Sequence, residues 1–164
     1  GILALHASAV LHEGRTILFC GVSGSGKSSF ARWATRCGAQ ALVDDIAPCT
    51  TTPTPVLLPR YPQLKWAQPL SIPDGAIGID RIVFIERGAA ALGVQSLPMA
   101  DTRLRLIRHT VAARLFPRTL TSWHLDAVTE LARSVPASRL SWPECANVAI
   151  PAQVAAALTE LSKP

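Results

Sequence analysis

The stretch that decides the fold of this chain is Gly21-Val22-Ser23-Gly24-Ser25-Gly26-Lys27-Ser28, which fits the pattern G-x-x-x-x-G-K-[ST]. Glycines at this spacing let the backbone curl, so that successive N–H groups point inward and can hold phosphate oxygens. The apolar, β-branched residues 16–20 before the loop predict a buried strand, and the apolar spacing over residues 29–37 predicts a helix. A strand, this loop and a helix in that order predict a nucleotide phosphate site.

The end of the loop carries the two side chains with chemical roles. Lys27 is expected to reach the β- and γ-phosphates, and the Ser28 hydroxyl is expected to ligate Mg²⁺. The N-terminus of the following helix adds positive potential. ATP is favoured because the chain shows no N-K-x-D-like base-reading motif, although ATP or GTP stays open. We predict as nucleotide-binding residues Gly21, Val22, Ser23, Gly24, Ser25, Gly26, Lys27, Ser28 and Ser29.

Composition limits the class of protein. The chain has 164 residues, of which 49% are hydrophobic and 16% charged, so we expect one ordered domain, residues 1–164, with a real core. No apolar run is long enough to span a bilayer, so no membrane partner is expected. The chain begins at Gly1 without a signal-peptide pattern, and we interpret it as a fragment or processed chain of a cytoplasmic protein.

The cysteines show no C-x-x-C spacing and no histidine at zinc-ligand spacing, so we predict buried or half-buried free thiols. They are Cys20, Cys37, Cys49 and Cys145.

Hydrophobic periodicity and turn residues predict an α/β fold, a mixed sheet flanked by helices. Strands are predicted at residues 7–11, 16–20, 41–43, 81–86 and 93–97, with an edge strand at 139–142. Helices are predicted at residues 29–37 and 101–116. A third is predicted from a cap at Ser122 to Pro136, and a fourth begins at Pro151. The Pro-rich residues 48–75 predict little regular helix beyond a brief one at 64–70.

Two adjacent acids follow the predicted strand 41–43. Asp44 and Asp45 lie 17 and 18 residues after Lys27. In a phosphate-loop sheet the carboxyl end of a neighbouring strand lies beside the γ-phosphate, where one carboxylate can hold Mg²⁺ and another can accept a proton. Adjacent side chains on a strand point to opposite faces, so both serve one site only if the strand has ended, as the following Pro48 indicates. The alternative is a solvated acidic turn.

Three segments together resemble the catalytic domain of HPr kinase/phosphorylase. They are His6 with residues 7–10, the loop 21–29, and Leu42-Val43-Asp44-Asp45, within residues 3–48. The resemblance implies the fold of the HPr kinase C-terminal domain, which is similar to PEP carboxykinase. It also implies transfer of the ATP γ-phosphoryl group to a serine with Mg²⁺ as cofactor.

The resemblance also implies roles for individual residues. Asp44 matches the catalytic base, Asp45 matches its metal-side partner with Ser28, and His6 matches the histidine beside the base. The family's Arg-Gly-rich loop and later acidic metal ligand are not found between Pro48 and Asp80. The phosphate acceptor and the reverse phosphorolysis therefore stay open.

A further segment, PRYPQLKW at residues 59–66, resembles one in short HPr-kinase-related proteins. Some of those are encoded with ribosomal-peptide pathways, including lasso peptides, in which a serine of the precursor is phosphorylated. Lys65, between Tyr61 and Trp66, is a candidate contact for ATP or for a peptide, with an exposed loop lysine as the alternative.

The net charge of +5 favours an anionic partner. The densest positive region holds Arg103, Arg105, Arg108, Arg114 and Arg118. Within it we predict Arg103 and Arg108 as contacts for phosphate or for an acidic peptide, the alternative being a solvated helix face. No aromatic residues interleave with these arginines, so no nucleic-acid partner is expected.

Three histidines, His12, His109 and His124, have no partner at useful spacing and are predicted to be structural.

The sequence therefore predicts an ATP- and Mg²⁺-dependent serine kinase with catalytic residues Asp44, His6 and Lys27. The acceptor is a peptide or small protein, such as a ribosomal peptide precursor, and whether the enzyme is a homo-oligomer stays open. Two other functions compete: a kinase for a small-molecule hydroxyl, and a non-catalytic ATP-binding switch or assembly module.

Overall fold

The structure is a computed structural model, which describes residues 1–59, 75–89, 92–143 and 150–163. Its helices are α1 (Lys27–Arg36), α2 (Met99–His109), α3 (Arg118–Ser134) and α4 (Ile150–Leu161). Its strands are β1 (Leu3–Leu5), β2 (Ala7–His12), β3 (Arg15–Cys20), β4 (Gln40–Val43), β5 (Ala47–Thr50), β6 (Val56–Leu57), β7 (Ile77–Gly78), β8 (Arg81–Ala89), β9 (Gly93–Leu97) and β10 (Ala137–Pro143).

The strands form two sheets. The larger has the order β4-β2-β3-β8-β10-β9, and the smaller has the order β1-β5-β6-β7. In the larger sheet β8 is parallel to both β3 and β10, whereas β2 is antiparallel to β3 and β4. The predicted mixed sheet is confirmed.

The predicted hairpin is confirmed as β2 and β3. Glu13 and Gly14 between them both have positive φ, 49° and 75°, as a two-residue type I′ turn requires. Ala7 pairs with Cys20, so β2 starts where β3 ends. The residues that precede and open β2 therefore lie beside the glycine-rich loop.

Helices cover both faces of the larger sheet. On one face α1 and α4 enclose a core that includes Phe30, whose ring contacts Phe19 and Trp142 at centroid distances of 4.8 and 5.2 Å. On the other face, α2 and α3 contribute Leu106 and Leu131 to a core shared with the smaller sheet. The predicted flanking helices are confirmed.

Two predicted helix boundaries and one predicted strand position are wrong. The helix expected at 101–116 ends at His109, because Thr110 is extended and bridges Leu5. The next helix begins at Arg118 after Pro117, and not at Ser122, since Pro117 itself occupies the capping position. The edge strand expected at 139–142 is β10, an interior strand paired with β8 and β9.

The Pro-rich region forms short strands in its described part, and the brief helix predicted at 64–70 lies outside the described residues. Cys20 and Cys49 are buried free thiols and Cys37 is a half-buried one, as predicted, whereas Cys145 is outside the described residues. Burial raises the pKa of the Cys20 and Cys49 thiols to about 12.

Within the described part of the chain, no helix is both long enough and apolar enough to cross a membrane.

Candidate active site

The candidate site begins with the loop between β3 and α1. Gly24 and Gly26 have φ values of 80° and 99°, which favour glycine over residues with a Cβ. The Ser25 N–H donates to the Val22 carbonyl oxygen at 3.1 Å and closes a turn. Gly26 then caps α1, so the first N–H groups of the helix open onto the loop. The predicted strand, loop and helix all form.

Lys27 crosses this loop. Its side chain is 5% exposed, and its ammonium group donates to the carbonyl oxygens of Gly21 and Val22 at 2.9 and 3.1 Å. A cation is thus buried against the backbone that curls around the helix N-terminus.

The loop also buries the Ser25 hydroxyl, which packs against Gly21. Within the described residues this oxygen has no hydrogen-bond partner. Buried polar atoms are normally satisfied, so a buried hydroxyl left over in a loop lined by N–H groups fits a phosphate-binding cradle.

The acidic pair follows β4, which ends at Val43 as predicted. Asp44 is 1% exposed, and its Oδ1 accepts hydrogen bonds from the hydroxyls of Ser8 (2.5 Å) and Ser28 (2.7 Å). The Asp45 side chain is 32% exposed, and its Oδ1 lies 3.2 Å from His6 Nε2. The φ of Asp45 is 80°, so the chain turns there and separates the two carboxylates.

This pairing differs from the expected one. From the sequence we expect Ser28 to act with Asp45, and His6 to lie beside Asp44. In the structure Ser28 contacts Asp44, and His6 contacts Asp45. The strand ends before both acids, and their partners Ser28 and His6 both line the smaller of the two cavities described below.

The cause of the pairing is the strand register. The pairs Leu5–Ala47 and Ala9–Val43 belong to one continuous antiparallel alignment, although the first is in the smaller sheet and the second in the larger. Residues 6–8 and 44–46 face each other where the chain passes between the sheets. Ser8 thereby meets Asp44. His6 lies opposite Ile46 in this alignment, and it contacts the neighbouring Asp45, where the positive φ turns the chain.

A second contact holds His6 from the opposite side. Its backbone N–H donates to the carbonyl oxygen of His109, the last residue of α2, at 2.8 Å. The position of the imidazole therefore depends on where α2 ends.

An open cleft of about 960 Å³ extends from the loop to α2. Beside it lies a smaller cavity of about 250 Å³, whose lining residues include Lys27 and Ser28. His6 and Arg87 line both spaces. The two spaces meet at the mouth of the loop.

Cationic side chains are concentrated on the cleft wall. Arg108 lines the cleft, whereas Arg103, also on α2, is exposed and does not. Lys65 lies outside the described residues. Arg105 lines the cleft, donates to Glu86 at 2.5 Å and lies over the Phe84 ring at 5.6 Å.

Sequence reasoning missed Ser8 and Arg87 as site residues. Arg87 directly follows the strand predicted at 81–86, and the rule that ligands bind at the carboxyl ends of parallel strands would have indicated it. Ser8 has no comparable signal, because a serine inside an apolar strand is indistinguishable from a satisfied core residue.

His109 lines the cleft as a neutral group. Burial lowers the pKa of its imidazole to about 4, and the positive charge of Lys27 acts in the same direction. Its ring packs against Phe84 at a centroid distance of 5.8 Å. At neutral pH this histidine adds an aromatic surface to the cleft and no charge.

The His109 pKa predicts a pH-dependent stability. In the unfolded chain the imidazole binds a proton near pH 6.5, whereas in the folded chain it binds one only near pH 4. Between these values the unfolded state holds more protons, so the free energy of unfolding falls as pH drops from about 6.5 towards 4. The free energy of unfolding can be measured with urea at about pH 7.0, 5.5 and 4.5, values that bracket the titration of one histidine. It should fall less with decreasing pH for His109→Gln than for the wild type.

Arg103→Gln, on an exposed position of the same helix, should keep the wild-type pH dependence. If the free energy of unfolding falls equally for the wild type and His109→Gln, the pKa of the His109 imidazole does not differ between the folded and unfolded states.

The loop, the helix behind it and the acids at a nearby strand end lie together in an α/β fold. Among solved structures, the chain is similar to the Hpr(Ser) kinase/phosphatase from Coxiella burnetii, with a TM-score of 0.50 and 9% sequence identity. The alignment covers 96% of this chain and 90% of that one. No protein-family model and no curated protein matches the sequence. At this identity the likeness shows the fold, and it confirms the predicted mixed sheet flanked by helices of HPr kinase type.

Proposed function

We propose that this protein is an ATP- and Mg²⁺-dependent kinase that transfers the γ-phosphoryl group to a serine or similar hydroxyl of a peptide or small protein. One observation carries the proposal. The two adjacent carboxylates contact different residues. Asp44 accepts a hydrogen bond from the loop residue Ser28, whereas Asp45 contacts His6 beside an open cleft. This is the division that phosphoryl transfer needs, with one acid near the phosphates and one near the acceptor.

The phosphate-binding part consists of backbone and one cation. The N–H groups of residues 21–26 and the N-terminus of α1 would hold the triphosphate oxygens. Lys27 would balance charge at the β- and γ-phosphates, since its ammonium group already lies inside the loop. The buried Ser25 hydroxyl, which has no hydrogen-bond partner in the described part of the chain, supports an oxygen-rich ligand here.

The oxygen atoms of Ser28 and Asp44 suit Mg²⁺, which prefers hard ligands. When bound, Mg²⁺ would neutralise charge on the phosphates. Within the described residues no group of three or more His, Cys, Asp or Glu side chains could hold a metal by itself. That fits a site in which few protein ligands act together with substrate phosphates and water. We therefore assign metal binding to Asp44, and not to Asp45 as the family resemblance implied.

The proton-accepting role goes to Asp45. Its half-exposed carboxylate can meet an acceptor hydroxyl, whereas the Asp44 carboxylate is almost fully covered. As the acceptor oxygen bonds to the γ-phosphorus and the bond to the ADP oxygen breaks, the hydroxyl proton passes to Asp45. His6, 3.2 Å away, orients that carboxylate.

The cleft supports a peptide or protein acceptor. Its volume of about 960 Å³ is at the upper end of small-molecule sites, and it is open to solvent. Arg108 on its wall favours an acceptor with acidic residues near the hydroxyl.

The function can be tested with [γ-³²P]ATP and serine-containing peptides, half of them with acidic flanks. We expect label in the peptide, more in the acidic set, with loss of transfer in EDTA and recovery on adding Mg²⁺. Label found only in free phosphate would favour an ATP-driven switch, and label transferred only to a small hydroxyl compound would favour a metabolite kinase. Full transfer in EDTA would contradict the metal site.

A further inference from the structure

Arg87 lies near the carboxyl end of β8, the strand that pairs with the loop strand β3. β8 pairs in parallel with β3, with Cys20 opposite Phe84, so the carboxyl end of β8 reaches the edge of the sheet where the loop begins. Neighbouring strand ends in α/β sheets are where ligands bind. The side chain at this end is a cation.

The guanidinium group of Arg87 lies directly over the loop. Its Nη2 and Nε atoms are 3.1 and 3.2 Å from the position that a Cβ on Gly26 would occupy. Gly26 caps α1, so Arg87 stands at the positive end of that helix. Arg87 and the N-terminus of α1 together give this part of the loop a positive potential, which favours an anion.

Arg87 differs from its neighbour Arg105 in its partners. Arg105 is paired with Glu86 at 2.5 Å. In the part of the chain that the structure describes, no ion pair joins Arg87 to a carboxylate. The guanidinium N–H donors of Arg87 are thus available to a ligand, whereas those of Arg105 are shared with Glu86.

Arg87 also stands at the boundary of the two spaces. It lines the smaller cavity with Lys27 and Ser28, and it lines the larger cleft with Arg108. A phosphoryl group moving from the nucleotide to an acceptor in the cleft would cross this boundary.

We infer that Arg87 is a further catalytic residue, which donates hydrogen bonds to the oxygens of the phosphoryl group during its transfer. A guanidinium group matches phosphate oxygens in a bidentate geometry and keeps its proton throughout. It would therefore stabilise the negative charge on the transferring group and take no part in proton transfer. The inference rests on the proposed function, but its test needs no acceptor.

The test compares two ligands, ADP with Mg²⁺ and ADP with Mg²⁺ and aluminium fluoride, whose fluoride complex imitates a phosphoryl group in transfer. Binding to the full chain is measured by titration calorimetry for the wild type, Arg87→Ala, Arg87→Gln and Arg87→Lys. Arg103→Ala is the matched control, because Arg103 is exposed and lies outside the cleft.

We expect Arg87→Ala and Arg87→Gln to bind ADP nearly as the wild type does. They should bind the fluoride complex about 100-fold more weakly, the scale on which one lost charge-stabilising donor acts. Arg87→Lys should recover part of the loss, and Arg103→Ala should lose nothing. The glutamine variant replaces the alanine variant if the latter does not fold.

Equal affinities of all variants for the fluoride complex would overturn the inference, and so would an equal loss for ADP and for the complex. A wild-type chain that binds the complex in an Arg87-dependent way but phosphorylates no hydroxyl would overturn the proposed function and uphold the role of Arg87. A wild-type chain that binds neither ligand would overturn both.

Discussion

Lys27→Ala is expected to lower phosphotransfer by at least about 10³-fold, the scale on which a cation at a transferring phosphoryl group contributes. The substitution removes the ammonium group that lies inside the loop on the Gly21 and Val22 carbonyl oxygens. Lys27 is the first residue of α1, and alanine is a good helix former. The secondary structure seen by far-UV circular dichroism should therefore stay unchanged, although the thermal midpoint should fall slightly.

The matched control is Lys163→Ala. Lys163 is exposed and pairs only with Glu160 of the described residues, at the other end of the chain. Its loss should leave transfer to the peptide unchanged in the same γ-phosphate assay. Near-wild-type transfer by Lys27→Ala would show that the loop does not hold the donor phosphates.

Exchanging each acid for its amide is expected to separate their roles. Asp45→Asn keeps size and polarity but cannot accept a proton, so transfer should fall about 10²- to 10⁴-fold at saturating Mg²⁺ with ADP binding retained. Asp44→Asn removes the charge beside Ser28, so its main effect should be a higher Mg²⁺ concentration at half-maximal activity. His6→Ala should give a loss smaller than that of Asp45→Asn, because it disturbs only the orientation of the base.

Steady-state kinetics with Mg²⁺ titrations on the three variants distinguish two assignments. If Asp44→Asn loses turnover at saturating Mg²⁺ and Asp45→Asn shifts the Mg²⁺ midpoint, the assignment expected from the family resemblance is right and the one proposed from the contacts is wrong. If neither variant loses turnover, the site does not use a carboxylate as base.

Local signals predicted much of the part of the candidate site that the glycine-rich loop forms. The loop, the strand before it and the helix after it are consecutive in the chain, and their geometry follows from glycine conformations and apolar periodicity over about 20 residues. The end of β4 at Val43 was also predicted, since two adjacent acids disfavour a continuing strand, whereas Pro48 lies within the next strand, β5. Helix ends were predicted less well, because contacts such as the Thr110–Leu5 bridge override local propensity.

By itself, then, the sequence determined the glycine-rich loop between a strand and a helix, and the presence of two acids and a histidine near it. Only the tertiary structure decided which acid meets which partner. That outcome depends on an antiparallel register between residues 3–11 and 40–49, which are distant in the chain and are shared between two sheets. Because a shift of one residue would exchange the faces of all these side chains, no local pattern could have specified that Ser8 meets Asp44 and His6 meets Asp45. The same holds for Arg87, whose position over Gly26 exists only because β8 pairs with β3 across about 60 intervening residues.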